Sequence, residues 1–257
     1  MSSVSPALKP PKGAIIVGAS SGIGAALARR LAREGYNVAL LGRRAEPLEA
    51  LCAQINGAAG AGTARAYVHD VTQYADVPAA FQTVLRDLGH VNIVVYSAGA
   101  LLPVALSEFN FEKDRAALET NLLGAVAWLN QAAMFFERMG SGSIVGLSSI
   151  AGERGRVGNP AYNASKAALN SYLESLRNRL TRKGVHVLTV KPGFVDTPML
   201  RQSGVKAFWV VSPEQVAEET WQAIRRRRQG FFVPGRWQLV ALVLRHIPSV
   251  IFRRMKF

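Results

Sequence analysis

The chain has 257 residues and carries 31 Lys and Arg against 17 Asp and Glu, a formal net charge of +14. That length suits one α/β domain with a full core. The single cysteine, Cys52, excludes an intramolecular disulfide, and the four dispersed histidines, His69, His90, His186 and His246, lack metal-ligand spacing, so no metal is expected.

Residues 1–12, with Ser2, Ser3, Ser5, Pro6, Pro10 and Pro11, read as a loose tail lacking the apolar stretch of a secretory signal. The run Gly13-Ala14-Ile15-Ile16-Val17 is short, continuously apolar and rich in β-branched residues, which predicts a parallel strand buried on both faces. It leads into Gly18-Ala19-Ser20-Ser21-Gly22-Ile23-Gly24, then into an alanine-rich amphipathic helix from Ala25 to Ala32 closed at Gly35. Strand, glycine loop and helix together make an anion site. Unpaired amides and the positive end of the helix dipole face the phosphate, and absent β-carbons let the backbone approach it. Gly18, Ser20, Ser21, Gly22, Ile23 and Gly24 are the candidate phosphate-binding residues; a tight structural turn is the competing reading.

The second predicted strand, Asn37-Val38-Ala39-Leu40-Leu41, ends at Gly42-Arg43-Arg44. Selection of the unphosphorylated dinucleotide would call for a carboxylate here, against the ribose 2′-hydroxyl. A guanidinium instead clasps a 2′-phosphate with parallel hydrogen bonds, so Arg43 first, and Arg44 second, point to NADP(H).

Further strands are expected at Ala64 to Val68, Val91 to Tyr96, Ser143 to Leu147, Val185 to Val190 and Phe231 to Val233. Between them lie helical stretches: an apolar one that takes Cys52 into its packing, two long ones beginning near Phe111 and Pro160, and one from Ser212-Pro213 to Arg225-Arg226-Arg227-Arg228. The alternation predicts an α/β fold of one domain, a Rossmann-type doubly wound parallel sheet with helices on both faces. In the helix from Pro160, Tyr162-Asn163-Ala164-Ser165-Lys166 places a phenol and an ammonium four residues apart on one face. A cation there lowers the phenol pKa from its ordinary ~10, the condition for passing a proton at neutral pH. Taken alone, such a pair is common on surface helices.

In this order the motifs resemble the short-chain dehydrogenase/reductase family from about Gly13 to Pro234. The resemblance rests on Gly18-x3-Gly22-x-Gly24, His69-Asp70-Val71-Thr72, Asn121-Leu122-Leu123-Gly124, the run Ser143 to Ser149, Tyr162-x3-Lys166 and Lys191-Pro192-Gly193-Phe194-Val195-Asp196-Thr197-Pro198. Tyr96-Ser97-Ala98-Gly99 stands where the family usually has Asn-Asn-Ala-Gly, which keeps the small residues and implies different hydrogen bonds at that strand end. The resemblance implies a catalytic domain over residues 13–234 and a catalytic set of Asn121, Ser149, Tyr162 and Lys166. Ser149 is preferred to Ser148 because it lies thirteen positions before the tyrosine.

By the same resemblance, the cofactor is contacted by the glycine loop, Asp70, Val71, Ala98, Gly99, Tyr162, Lys166, Pro192, Gly193, Val195 and Thr197. The backbone of Val195 and the hydroxyl of Thr197 would bond the carboxamide. Ser149 and Tyr162 would hold a substrate carbonyl oxygen and Tyr162 would protonate it. Lys166 would bond the ribose hydroxyls while lowering the tyrosine pKa, and Asn121 would position a water leading from Lys166 to solvent. The implied activity is NADPH-dependent reduction of a ketone or aldehyde; the reverse oxidation uses the same site, and a non-catalytic NADP-sensing scaffold is the reading from another class. Leu101, Leu102, Arg154, Arg156, Val157 and residues 199–211 are candidate pocket residues. Pairing of the two long helices across a two-fold axis, through Ala125 to Leu129 and Ala167 to Leu169, would give a homodimer or homotetramer.

Residues 235–257 form a basic, apolar extension. Its uninterrupted apolar core, Leu239 to Leu244, is too short to span a bilayer, which takes ~20 residues. Two readings stand: an interfacial segment on an anionic membrane, or a cover over the substrate cleft or against a neighbouring subunit. Both suggest a hydrophobic, lipid-like carbonyl substrate. No nucleic-acid recognition motif accompanies the arginines, so nucleic acid is not an expected partner. The expected location is the cytoplasm, with peripheral membrane attachment under the first reading.

Overall fold

A computed structural model describes residues 11–255, so all but Pro11 and Lys12 of the N-terminal tail, and Lys256 and Phe257, lie outside the described residues. Seven strands, β1 (Lys12–Val17), β2 (Tyr36–Gly42), β3 (Ala64–Val68), β4 (Ile93–Tyr96), β5 (Ser143–Leu147), β6 (His186–Pro192) and β7 (Gly230–Val233), form one sheet in the order β3-β2-β1-β4-β5-β6-β7. All six pairings are parallel, with Val17 opposite Leu41 on one side and Tyr96 on the other.

The continuous apolar character of the strands follows from burial on both faces. Alternate side chains feed two separate cores. Ala14, Ile16, Val38, Leu40, Ile93 and Val95 enter one, under α1 (Gly22–Arg33), α2 (Ala45–Asn56) and α8 (Pro213–Arg225). Ile15, Val17, Ala39, Leu41, Val94 and Tyr96 enter the other, under α3 (Val77–Leu88), α5 (Gly124–Met139) and α6 (Pro160–Leu180). The remaining helices are α4 (Phe111–Leu118), α7 (Pro198–Gln202), α9 (Trp237–His246) and α10 (Ser249–Phe252).

Several boundaries differ from expectation. Helix α1 begins at Gly22, inside the glycine loop, and Gly35 terminates it in the left-handed conformation with its amide on Ala32 O. The helix expected from Phe111 does start there, capped by the Asn110 side chain on Lys113 N, but it passes through a π-helical turn at Glu119–Leu123 before continuing as α5. Helix α8 stops at Arg225; Arg227 is left-handed and bonds Gly184 O, so only the first of the four arginines lies in the last turn. The apolar run expected to pair subunits is largely spent inside this one, since Ala125, Trp128, Leu129 and Leu169 are fully buried in the second core.

The C-terminal extension packs on its own domain. Trp237, Ala241 and Leu244 are buried on one side of α9, and Trp237 and Ala241 join Ile150, the residue after Ser149. The indole lies so close over Gly193 that a β-carbon there would stand 1.9 Å from Trp237 Nε1. In the second core, Trp128 is fully buried against Phe81 and His69. Trp128→Ala is expected to destabilise the protein by about 3–5 kcal/mol in urea unfolding, the usual cost of emptying so large a site.

Candidate active site

The ends of β1, β4, β5 and β6 bring the motifs together at the carboxyl edge of the sheet, where parallel α/β folds leave a crevice. The glycine loop is pressed onto this edge. Gly18 has φ +93°, and a β-carbon on it would fall 2.3 Å from Ala98 N, while one on Gly24 would fall 2.1 Å from Gly18 O. Ser21 occupies the N-cap of α1 without its side chain capping the helix, which leaves first-turn amides for another acceptor. Close backbone approach at Gly18, Gly22 and Gly24 beside an uncapped helix start fits a dinucleotide pyrophosphate.

The arginines flank this cradle unequally. Arg44 Nη2 donates to Ser20 Oγ at 3.1 Å and Ser21 Oγ at 3.2 Å. Arg43 is more exposed, with Nη1 3.9 Å from Asp70 Oδ2. Asp70 Oδ1 also accepts from Thr72 N at 3.0 Å and Thr72 Oγ1 at 2.9 Å. Partial burial pushes the Asp70 carboxyl up, but these bonds and the Arg43 charge outweigh it and hold the group below the usual range. Val71 is buried beside it.

Asn121 is fully buried in the π-helical turn. Its Oδ1 accepts from Ala100 N at 2.7 Å, and its Nδ2 donates to Ala100 O at 2.9 Å and Ser165 Oγ at 3.0 Å. The amide thus ties the loop after β4 to α6. The departure at Tyr96 has a physical role. Its buried hydroxyl donates to Thr120 O at 2.6 Å, joining the end of β4 to the turn that carries Asn121.

Ser149, Tyr162 and Lys166 converge on one another. Ser149 Oγ accepts from Ala151 N at 3.1 Å and faces Pro192 O at 3.5 Å, whereas Ser148 Oγ is used by Lys166 O at 3.2 Å. Lys166 Nζ donates to Leu147 O at 2.9 Å and stands 5.8 Å from the centroid of the Tyr162 ring. A β-carbon on Gly99 would meet Asn121 Oδ1, Met199 Cε and Lys166 Nζ within 4 Å, so Gly99 lies where these groups meet.

Burial raises the Tyr162 pKa above its ordinary value, against the lowering effect of a hydrogen bond from Ser149 and of the Arg156 charge. Burial also lowers Lys166, to about 8. Arg156 is thus a second cation acting on the phenol, beside the Lys166 ammonium 5.8 Å from its ring centroid. Arg156 is held by Asn163 Oδ1 at 3.2 Å, and Asn163 Nδ2 in turn donates to Gly158 O at 2.8 Å.

Beyond β6, the turn of Pro192, Gly193 and Val195 reaches Thr197. The Thr197 hydroxyl caps α7 by accepting from Leu200 N at 3.4 Å and lies 3.3 Å from Val195 O. Its methyl is the nearest atom to a β-carbon placed on Gly22, so the turn after β6 touches the glycine loop. Arg154, a candidate pocket residue, is committed elsewhere: Nη1 donates to Leu244 O at 2.6 Å and Ile247 O at 2.5 Å, carbonyls at the end of α9 that lack helical partners. Sequence reasoning also passed over Glu153, whose buried carboxylate pairs with Lys191 at 2.8 Å and with Arg245. A glutamate one residue from a predicted loop arginine carries no periodic signal that would have marked it.

Comparison with known proteins places the chain in a family. Residues 12–206 match the family described as short chain dehydrogenase. An uncharacterised oxidoreductase of Staphylococcus epidermidis is 35% identical over 188 residues, covering 73% of this chain and 80% of that one. Among solved structures, a variant of the actinorhodin polyketide ketoreductase with NADPH superposes with a TM-score of 0.76 at 29% identity, over 83% of this chain and 90% of that chain. A short-chain dehydrogenase from Sphingobium yanoikuyae in complex with NADPH gives a TM-score of 0.80 at 26% identity, over 93% and 97% of the two chains.

The depressed Lys166 pKa has a consequence for stability. The folded group titrates at about 8 and the unfolded one at 10.5, so between those values the unfolded chain binds more protons and stability rises with pH. The cost of burying the ammonium is fully present below pH ~8 and is lost above ~10.5. Relative to Lys166→Met, which has no titrating group there, the parent is expected to gain on the order of 3 kcal/mol of stability between pH ~8 and ~10.5. Urea unfolding of both ligand-free proteins across that range measures it, and a gap independent of pH would contradict the assignment.

Proposed function

The chain belongs to the short chain dehydrogenase family of oxidoreductases, and from that premise we propose that it reduces a hydrophobic ketone or aldehyde at the expense of NADPH. The observation that carries this reading is the convergence of Ser149, Tyr162 and Lys166 beside Gly99, next to a glycine cradle flanked by two arginines.

NADPH, which supplies hydride to the carbonyl carbon, would be held by Gly18 to Gly24 and the first amides of α1 at its pyrophosphate and by Arg43 and Arg44 at its 2′-phosphate. Asp70 and Val71 would meet its adenine. Ala98, Gly99, Lys166, Pro192, Gly193, Val195 and Thr197 would line the nicotinamide end.

The Ser149 and Tyr162 hydroxyls donate to the substrate carbonyl oxygen, drawing charge from its carbon. Tyr162 then gives its proton to the forming alkoxide, and Ser149, Arg156 and Lys166 stabilise the phenolate left behind. Lys166, with its pKa near 8, exchanges protons readily around neutral pH and can return one to Tyr162. Asn121 acts as a positioning residue, holding Ala100 and Ser165 so that the pocket keeps its shape. The same groups serve the reverse oxidation, with the cofactor ratio setting the direction. Exposed apolar side chains at Leu102, Val157, Val205 and Phe208 support a hydrophobic substrate. A homodimer or homotetramer would pair the outer faces of α5 and α6, around Asn130, Met134 and Arg179.

Ketones graded by chain length, followed by NADPH absorbance with NADH as control, test the substrate class. Tyr162→Phe is expected to lower kcat by ~10²- to 10⁴-fold while leaving the NADPH dissociation constant nearly unchanged. Near-normal turnover in that variant would refute the assigned proton donor. Replacing Arg43 by Ala is expected to raise KM for NADPH roughly 10-fold and to change NADH kinetics far less, since the 2′-phosphate loses a charge-assisted partner.

A further inference from the structure

We propose that the outward face of α9 and α10 is a docking surface for an anionic lipid bilayer. One side of α9 is occupied by the domain, through Trp237, Ala241 and Leu244. At helical spacing, Leu239, Leu242 and Val243 fall on the opposite side, and they are 69%, 55% and 60% exposed. Val250 and Ile251 of α10 add two more exposed aliphatic side chains, at 53% and 54%. Among the described residues, this helix, apolar on both sides, has its inner contact supplied and its outer one unsupplied.

The charge around this face selects the occupant. From Arg236, at the start of α9, to Phe257 the sequence holds four arginines and one lysine and no aspartate or glutamate. Arg253 and Arg254 are exposed directly after α10, and Arg236 lies over Trp209, 4.5 Å from its ring centroid, at the start of α9. A second copy would bring the same cations against these, and they would repel. Anionic headgroups would neutralise them while the aliphatic face enters the acyl boundary. Among the described residues no helix is long and apolar enough to cross a membrane, so the segment lies in the interface plane.

The segment is braced for this load. Arg154 binds the terminal carbonyls of α9, and Arg245 pairs with buried Glu153. Because the inner side of α9 touches Ile150, next to Ser149, a docked bilayer stands about one helix diameter, ~10 Å, from the site. Delivery of a membrane-dissolved carbonyl rests on the reductase reading; the docking does not.

Flotation with vesicles of phosphatidylcholine alone, or with about a third phosphatidylglycerol, tests the surface. The parent is expected to float with the anionic vesicles only, less so at raised salt. Leu239→Glu with Val243→Glu, and separately Arg253→Glu with Arg254→Glu, are each expected to cut partitioning about tenfold or more while keeping the parent circular dichroism. Tyr162→Phe is expected to float like the parent, so loss of activity and loss of docking read out separately. The proposal is overturned if the parent stays in solution, if the Leu239 and Val243 pair floats unchanged, or if that pair converts an oligomeric parent to monomer in size-exclusion chromatography, which would assign the face to a second copy.

Discussion

The Asn121 amide, buried in a π-helical turn, makes three hydrogen bonds to two separate elements, and the arrangement of the site depends on that cross-link. It holds both backbone groups of Ala100 in the loop after β4. Through Ser165, whose hydroxyl donates to Tyr162 O at 2.7 Å, it reaches the first turn of α6. A buried amide left unpaired costs roughly 1–3 kcal/mol per group, so an arrangement that breaks the link is penalised several times over. Tyr96 adds a strut from below by fixing the Thr120 carbonyl. The π-turn is where the regular helix gives way so that its side chain can point across the sheet edge.

Around that link, the two cores of the sheet act as a frame. Parallel strands buried on both faces leave little freedom for their ends, so the loops after β1, β4, β5 and β6 start from fixed positions. Small residues then decide how closely those loops approach: Gly18 against Ala98, Gly24 against Gly18 O, and Gly22 against the methyl of Thr197. The same backbone crowding that admits only glycine also presents bare amides, which links packing directly to anion binding.

The C-terminal segment is part of this frame. In a chain with a net charge of +14, one buried carboxylate, Glu153, takes two cations from different places: Lys191 at the end of β6 and Arg245 in α9. The stretch just after Ser149 is thereby tied to the last helix of the domain, and Trp237 covers the turn at Gly193 from the same side. What reads in sequence as a basic tail is, in three dimensions, a wall of the site with an apolar back.

The sequence alone determined the sheet, the glycine loop and the order of the motifs, because strand burial and loop sterics leave local patterns: β-branched runs, spaced glycines, a tyrosine and a lysine four residues apart. Ser149, Tyr162 and Lys166 were legible for that reason. Tertiary structure added the Arg156 charge to the surroundings of Tyr162 and bound the Lys166 ammonium to Leu147 O. It also sent Arg154 to the carbonyls of α9, spent the Asn121 amide on Ala100 and Ser165, and absorbed Ala125, Trp128 and Leu129 into the core. These outcomes turn on long side chains and on partners far apart in the chain, where reach and competition between acceptors set the pairing, and no local pattern encodes which acceptor wins.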